Sequence, residues 1–221
     1  MTLAHTPDLA VDSPLWEALA AADAVVVSMI NTDGEARRLA AKLAACRPAA
    51  VLVVNSQPEL MALGRLHDFD ALTLAGGDAL RHVARAFQRI GVPLPPMAHV
   101  VLAALGKVWE RIPADDRVLA PMRAYGRAMQ YWTNPSPENL KRLLHFLAAG
   151  SASPHEGEGP AAVAPPIAYP PVALWHPDLE EPLTDIDAYR SRHPLLCGEH
   201  TGPVVGAVLF RQFVLSGNTA H

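Results

Sequence analysis

The sequence has little of what crosslinks a secreted protein or binds a polyanion. Only two cysteines occur, Cys46 and Cys197, and they form no CxxC pair. Two isolated thiols suit a reducing cytoplasm better than a disulfide framework. The formal net charge is -4 and the pI is about 6.2. This balance argues against a nucleic-acid-binding protein and against a surface that adheres to anionic lipid.

Long hydrophobic runs are also missing. The longest candidates, Ala18–Ile30 and Met97–Val108, are shorter than the roughly 18–20 residues that cross a bilayer. No cationic segment followed by an apolar core begins the chain, so no secretory signal is indicated. We therefore expect a cytoplasmic protein without a transmembrane segment.

The motifs of nucleotide binding and of common catalytic sites are missing as well. There is no GxGxxG and no P-loop, so if the protein depends on ATP, another chain would bind it. The metal-binding motif HExxH is missing too. Ser28 follows a predicted strand but lacks the GxSxG elbow. His193, Cys197 and His200 lie close together, either as a metal site or as a polar loop, and we favour the loop. We accordingly predict no catalytic residue and no metal ligand in this chain.

Apolar β-branched runs alternate with helical patterns in the first part of the chain. Ala24–Ile30 and Ala50–Val54 are typical of buried strands, and Glu35–Cys46 has the spacing of an amphipathic helix between them. A further helix is predicted over Glu59–Leu66. Strand–helix–strand order implies parallel pairing, so the fold class is α/β with a flavodoxin-like or Rossmann-like parallel sheet.

Three helices are predicted next, over Met97–Arg111, Asp116–Tyr131 and Pro137–Ala149. A shorter helix is predicted at 79–90, before a stretch rich in proline. The helical segment carries four aromatic residues that serve either as core fillers or as a flat wall for a planar ligand: Trp109, Tyr125, Tyr131 and Trp132.

These patterns divide the chain into four parts. Residues 1–96 form an α/β head domain, 97–150 a helical segment packed on it, and 151–168 a linker rich in Pro, Gly and Ser. Residues 169–221 begin a second α/β domain, with a short helix at Thr184–Arg192 and a strand at Pro203–Phe210. A buried parallel strand needs neighbours that nothing after Phe210 supplies, so we expect the reading frame to continue past His221.

Several strings in fixed order resemble one family. They are ELMALGRLHDF at Glu59–Phe69, Tyr131-Trp132 followed by SPEN at Ser136–Asn139, PPVALWHP at Pro170–Pro177, and the pair VVGAVLFR and LSGNTAH at Val204–Arg211 and Leu215–His221. Together they resemble the N-terminal region of the family that comprises the magnesium chelatase H subunit and the cobaltochelatase large subunit. The first string favours the magnesium branch.

The resemblance implies a tetrapyrrole-binding ligase subunit that works with two smaller subunits, one of them a ring-forming ATPase. Such a subunit inserts Mg²⁺ into protoporphyrin IX in (bacterio)chlorophyll biosynthesis, or Co²⁺ into a corrin precursor in cobalamin biosynthesis. Its catalytic groups lie downstream of this region. We therefore expect this chain alone to be inactive and to bind no cofactor.

The resemblance also supplies candidates for ligand or interdomain contact. They are Arg211, Asn218, Thr219 and His221 in the final motif, and His176 in PPVALWHP. Turn architecture is the alternative role of the final motif. The competing hypothesis of another class is a free-standing, non-catalytic α/β binding module, and the missing nucleotide and nucleophile motifs count against a small unrelated enzyme.

Overall fold

A computed structural model describes most of the chain. It covers residues 13–75, 77–93, 97–116, 119–151, 163–176, 179, 182–192 and 214–215. The strand predicted at Pro203–Phe210 and the cluster His193, Cys197 and His200 lie outside these residues.

Two parallel strands begin the sheet. Strand β1 (Ala24–Ser28) pairs with β2 (Ala50–Val54) residue by residue, with Ala24 opposite Ala50 and Ser28 opposite Val54. Helix α2 (Asp33–Cys46) connects them, after the short helix α1 (Leu15–Ala20). The side chains of α2 that recur at helical spacing are buried, namely Ala36, Leu39 and Leu43. The predicted parallel α/β arrangement is confirmed for this pair.

The sheet is mixed rather than all parallel. Two-residue strands β3 (Arg65–Leu66) and β4 (Phe69–Asp70) form an antiparallel hairpin, and β3 also pairs antiparallel with β2. Among the described residues the strand order is β1-β2-β3-β4. The sheet therefore keeps the α/β class and departs from an all-parallel order at its second half.

The helix predicted over Glu59–Leu66 is wrong in its extent, because α3 covers only Pro58–Met61. The main chain turns at Gly64, whose carbonyl accepts a hydrogen bond from the Ala71 amide at 2.8 Å. A Cβ at Gly64 would lie 2.9 Å from the Cζ of Tyr125, so the ring of Tyr125 occupies the space that a side chain would need. Tertiary packing therefore overrides the local helical pattern.

Strand β1 ends at Ser28, two residues before the predicted end at Ile30. Met29 has a left-handed conformation with φ of 61°, which breaks the extended backbone. Asn55 does the same directly after β2, with φ of 48°. Both parallel strands thus end in a left-handed residue at the same edge of the sheet.

The helical segment follows the predicted order. After a 3-10 turn at Ala71–Ala75 come four helices, α4 (Gly77–Arg89), α5 (Ala98–Val108), α6 (Ala120–Thr133) and α7 (Pro137–Ser151). A second 3-10 turn, Trp109–Arg111, continues α5.

Helix α6 and the last described helix begin two or more residues later than predicted, and α5 begins one residue later, at Ala98. Helix α6 begins at Ala120, because Asp116 accepts hydrogen bonds from the Leu119 and Ala120 amides through its side chain and carbonyl. Helix α8 spans Ile186–Arg192, and Asp185 accepts a hydrogen bond from the Ala188 amide at 2.7 Å.

One hydrophobic core joins the sheet and the helices. All five residues of β2 are buried, and they belong to the same cluster as side chains of α2, α5, α6 and α7. The helical segment therefore packs directly on the sheet. No described helix has both the length and the apolar character needed to cross a bilayer.

Candidate functional site

Tyr125 of α6 covers the side of β2 that lies beyond the end of β3. Its hydroxyl accepts a hydrogen bond from the Val53 amide at 3.0 Å and donates one to the Val53 carbonyl at 3.3 Å. In a parallel strand both polar groups of one residue point to the same side, and β3 reaches only as far as Val51. Tyr125 therefore takes the place of a neighbouring strand, and burial raises the pKa of its hydroxyl well above the ordinary value.

An extended segment, Val163–Ile167, lies along α6 and α7 and is held there through its main chain. Four side chains bind it: Arg127, Tyr131, Asn139 and Arg142. We call these four residues the α6–α7 clamp. The clamp residues bind main-chain carbonyl and amide groups of the segment. The clamp therefore fixes the path of residues 163–167 largely independently of their side chains.

Asn139 is the central member of the clamp. Its side-chain nitrogen donates to the carbonyls of Asn134 at 2.8 Å and Ile167 at 2.9 Å, and its oxygen accepts from the Ile167 amide at 2.8 Å. Asn139 is fully buried, so water cannot reach its side chain and these hydrogen bonds satisfy its polar atoms instead. Its own amide donates to the Ser136 hydroxyl at 3.2 Å at the start of α7.

Tyr131 and Arg127 hold the beginning of the segment. The Tyr131 hydroxyl donates to the Ala164 carbonyl, and the Arg127 guanidinium donates to the Val163 carbonyl. Arg127 also lies over the rings of Phe146, Tyr131 and Trp109, with its central carbon 5.0–5.8 Å from the centroids. Burial raises the pKa of Tyr131, and the Arg127 charge opposes that shift.

Arg142 occupies the solvent-exposed side of the clamp. It donates to the Pro165 carbonyl at 2.6 Å and to Glu138 at 2.9 Å. The hydrogen bond from Arg142 holds the pKa of the Glu138 carboxyl below its ordinary value. Residues 163–167 therefore form a bound stretch inside the segment predicted as a linker.

The aromatic residues of the helical segment serve mainly as core. Tyr125 and Tyr131 are almost completely buried and Trp109 is 8% exposed, while Trp132 is half-buried. The ring of Tyr125 packs on Phe69 and that of Tyr131 on Phe146, with centroids 4.8 and 5.8 Å apart. The structure supports the core-filler interpretation for the three buried rings and leaves them no open face for a planar ligand.

The carboxyl edge of β1 and β2 is a second polar region, where ligands of α/β proteins commonly bind. The two loops that follow the strands are bonded to each other. The Gln57 side chain donates to the Asn31 carbonyl at 2.6 Å and to Asp33 at 3.2 Å, and the Ile30 amide donates to the Ser56 hydroxyl at 3.2 Å. These polar groups satisfy one another's hydrogen bonds, so the two loops at this edge are bonded to each other.

Of the predicted contact residues, the structure describes His176 alone. It is half-buried, and its carbonyl accepts a hydrogen bond from the Leu179 amide at 3.0 Å beside the antiparallel bridge between Leu174 and Leu183. Arg211, Asn218, Thr219 and His221 lie outside the described residues. Within the described ranges no three His, Cys, Asp or Glu side chains are grouped as metal ligands.

Sequence reasoning missed the clamp as a unit. Tyr131 and Asn139 stand in the two strings that carry the resemblance, Tyr131-Trp132 and SPEN, but their partners lie about 30 residues later in a stretch with no periodic pattern. Arg127 and Arg142 lie outside both strings. The available signal was an asparagine within the first turn of a predicted helix, a position where a polar side chain can bind main chain.

Two family models match parts of this chain. Residues 7–90 match the family described as Domain of unknown function (DUF3479), and residues 129–221 match the family described as CobN/Magnesium Chelatase. The second match begins within α6 and contains three of the four clamp residues: Tyr131, Asn139 and Arg142.

Curated relatives match nearly the whole chain. The magnesium-chelatase H subunit of Rhodobacter capsulatus is 26% identical over 209 residues, which are 92% of this chain and 17% of the relative. The H subunit of Cereibacter sphaeroides is also 26% identical, over 208 residues, and the chloroplastic ChlH subunit of Oryza sativa is 29% identical over 185 residues. The chain thus spans about a sixth of the length of the bacterial relatives.

The two family matches occur in the same chain in the order head region, then chelatase region, and the relatives align across both. Residues 129–221 are thus similar to the CobN/magnesium chelatase family and residues 7–90 to the DUF3479 domain, and the chain is distantly similar to the N-terminal portion of the magnesium-chelatase H subunit.

Proposed function

We propose that this chain is the N-terminal portion of the large tetrapyrrole-binding subunit of an ATP-dependent metal chelatase. The observation that carries the proposal is the alignment of 92% of the chain with a magnesium-chelatase subunit. In this role the chain works in the cytoplasm with two smaller subunits, one of which hydrolyses ATP. The metal is Mg²⁺ and the tetrapyrrole is protoporphyrin IX, since the relatives described above are magnesium chelatases.

Cobalt insertion into a corrin precursor is the second candidate. It is favoured by the match of residues 129–221 to a family that includes CobN together with the magnesium enzymes. The same clamp would serve either reaction, because its hydrogen bonds go to the main chain of residues 163–167.

The contribution of this region is architectural. A chelatase must hold a large planar ring, deliver a dehydrated cation and accept two pyrrole protons, which requires side chains that act as ligands and bases. We assign those groups to the rest of the large chain. The head domain (1–96) and helical segment (97–150) form the support. The clamp holds residues 163–167, which lie between α7 and residues 169–221.

Residues at the far end then become contacts with the rest of the large chain. Under this proposal, four residues near the end of the chain contact the next domain of the large subunit: Arg211, Asn218, Thr219 and His221. His176 lies near the stretch that connects the helical segment to that domain. Arg211 would directly follow the carboxyl end of the predicted strand Pro203–Phe210, and α/β proteins commonly bind ligands at that end of a strand.

A chimera tests the proposal. The region of the Rhodobacter capsulatus protein that aligns with this chain is replaced by residues 1–221, and the chimera is assayed with the two smaller subunits, ATP, Mg²⁺ and protoporphyrin IX. We expect magnesium protoporphyrin to form, detected by its fluorescence, and no product when the isolated chain replaces the chimera.

The controls separate folding from function. A chimera that melts in a single cooperative transition and yet forms no magnesium protoporphyrin would contradict the magnesium assignment. Activity with Co²⁺ and a corrin precursor in place of the magnesium reaction would favour the cobalt branch.

A further inference from the structure

Helix α4 presents a row of cationic side chains to solvent. Arg81, Arg85 and Arg89 follow one another at four-residue spacing and are all exposed, with His82 exposed beside them. Residues four apart on a helix are neighbours on one face, so the three guanidinium groups form a stripe that spans about 12 Å of axis. The opposite face of α4 is buried through Val83, Ala86 and Phe87.

A fourth guanidinium is fixed at the end of this stripe. Arg111 donates from one nitrogen to the carbonyls of Ile90 at 2.8 Å and Gly91 at 3.1 Å, directly after α4 ends. Gly91 has φ of 73°, and a Cβ there would lie 3.1 Å from that nitrogen, so glycine leaves room for the contact. Arg111 is exposed, and its charge is held in one place by the main chain.

The stripe is largely without acidic partners. Arg81 pairs with Asp78, the acidic side chain in the first turn of α4. Within the described residues no ion pair involves Arg85 or Arg89. The chain as a whole is acidic, with a net charge of -4, so this local excess of positive charge stands against the overall balance. We call Arg81, His82, Arg85, Arg89 and Arg111 the α4 basic face.

We propose that the α4 basic face is a docking surface for an acidic face of a partner protein. Guanidinium groups bind carboxylates through two parallel hydrogen bonds, and arginine is enriched in protein interfaces. Pre-positioning of Arg111 by main-chain carbonyls lowers the entropy lost on binding. The face is polar throughout its exposed side, so its contacts are electrostatic and add mainly to association rate and partner choice.

Other polyanions fit the surface less well. Nucleic-acid binders usually carry a basic net charge, whereas this chain has a net charge of -4. An interfacial membrane helix needs large apolar side chains on the face that enters the lipid. The apolar side chains Val83, Ala86 and Phe87 of α4 are buried in the protein. Carboxylates on a protein surface match the positive charge of the face.

The test uses the full chain and three probes, namely poly-L-glutamate, vesicles containing anionic phospholipid and a short DNA duplex. Arg85→Glu combined with Arg89→Glu reverses the α4 basic face. Arg37→Glu combined with Arg38→Glu makes the same charge change on α2 and is the matched control. Melting temperatures of both variants check that the fold is intact.

We expect poly-L-glutamate to bind in low salt, to weaken about tenfold in the α4 variant, and to change less than about twofold in the α2 variant. Equal losses in both variants would mean nonspecific attraction and would overturn the proposal. Failure to bind poly-L-glutamate, or tighter binding to vesicles or DNA than to poly-L-glutamate, would overturn it as well.

Discussion

Strands β1 and β2 have the same length and nearly the same composition, AVVVS and AVLVV, and they pair with each other in register. Yet all of β2 is buried, whereas Val27 is the one buried residue of β1. The difference comes from position. β2 has β1 on one side and β3 and Tyr125 on the other, while β1 is the outermost strand of the described sheet. A pattern of apolar residues thus identifies a strand without saying how many neighbours it has.

A matched pair of substitutions tests this comparison most strongly. Val25 and Val51 lie directly opposite each other, and Val51 is buried while Val25 is half-buried. We expect Val51→Ala to lower the free energy of unfolding by about 2.5 kcal/mol and Val25→Ala by about 1 kcal/mol, because the cavity at Val51 is closed on all sides. Urea denaturation measures both values.

Equal losses at the two positions would break the comparison. That result would mean that β1 is covered as completely as β2 in solution.

The same contrast between buried and exposed partners applies to the α6–α7 clamp. Asn139→Ala removes the side chain that binds both the amide and the carbonyl of Ile167, so we expect a loss of about 2 kcal/mol. The Asn134 carbonyl keeps its hydrogen bond from the Ser136 amide. Hydrogen exchange of the Ile167 amide should accelerate in this variant. The measurement is mass-spectrometric exchange together with urea denaturation.

Arg142→Ala is the control for the clamp. Arg142 is half-buried and pairs with an exposed carboxyl, so its loss should cost less than about 1 kcal/mol and leave Ile167 protected. Rapid exchange at Ile167 in both variants would show that the segment depends on the exposed contacts rather than on Asn139.

The third prediction concerns the side of β2 that Tyr125 covers. Burial raises the pKa of Tyr125, so the folded state binds its proton more tightly than the unfolded state does. The pKa of tyrosine in the unfolded chain is about 10, and below that pH the contribution of Tyr125 to the free energy of unfolding is complete. Above it the free energy of unfolding falls by about 1.4 kcal/mol per pH unit. Denaturation at a series of alkaline pH values measures the slope.

Tyr125→Phe is the matched variant. It removes the hydroxyl that bonds Val53, which should cost about 1 kcal/mol at neutral pH, and it should make the alkaline slope smaller. A slope unchanged by this substitution would mean that other groups, such as Tyr131, whose pKa is also raised by burial, cause the alkaline loss.

Local patterns predicted the elements whose boundaries depend on nearby residues. Ala50–Val54 is found with the predicted bounds, and α2 ends at Cys46 as predicted, because a run of β-branched residues and a following proline act within a few positions. The helix predicted over Glu59–Leu66 is cut short because Gly64 meets Tyr125, which is 61 residues later in the sequence. No periodic pattern carries that information.

Sequence by itself determined the resemblance to the chelatase family, the α/β class, the parallel pairing of β1 with β2 and the order of the helices. These follow from residue types and short spacings, which act through local backbone preference and the burial of one face. Tertiary structure alone decided which strand is buried, where the sheet becomes antiparallel and which side chains hold residues 163–167. Those outcomes depend on contacts between groups far apart in the chain, whose energies exist only once the fold brings them together.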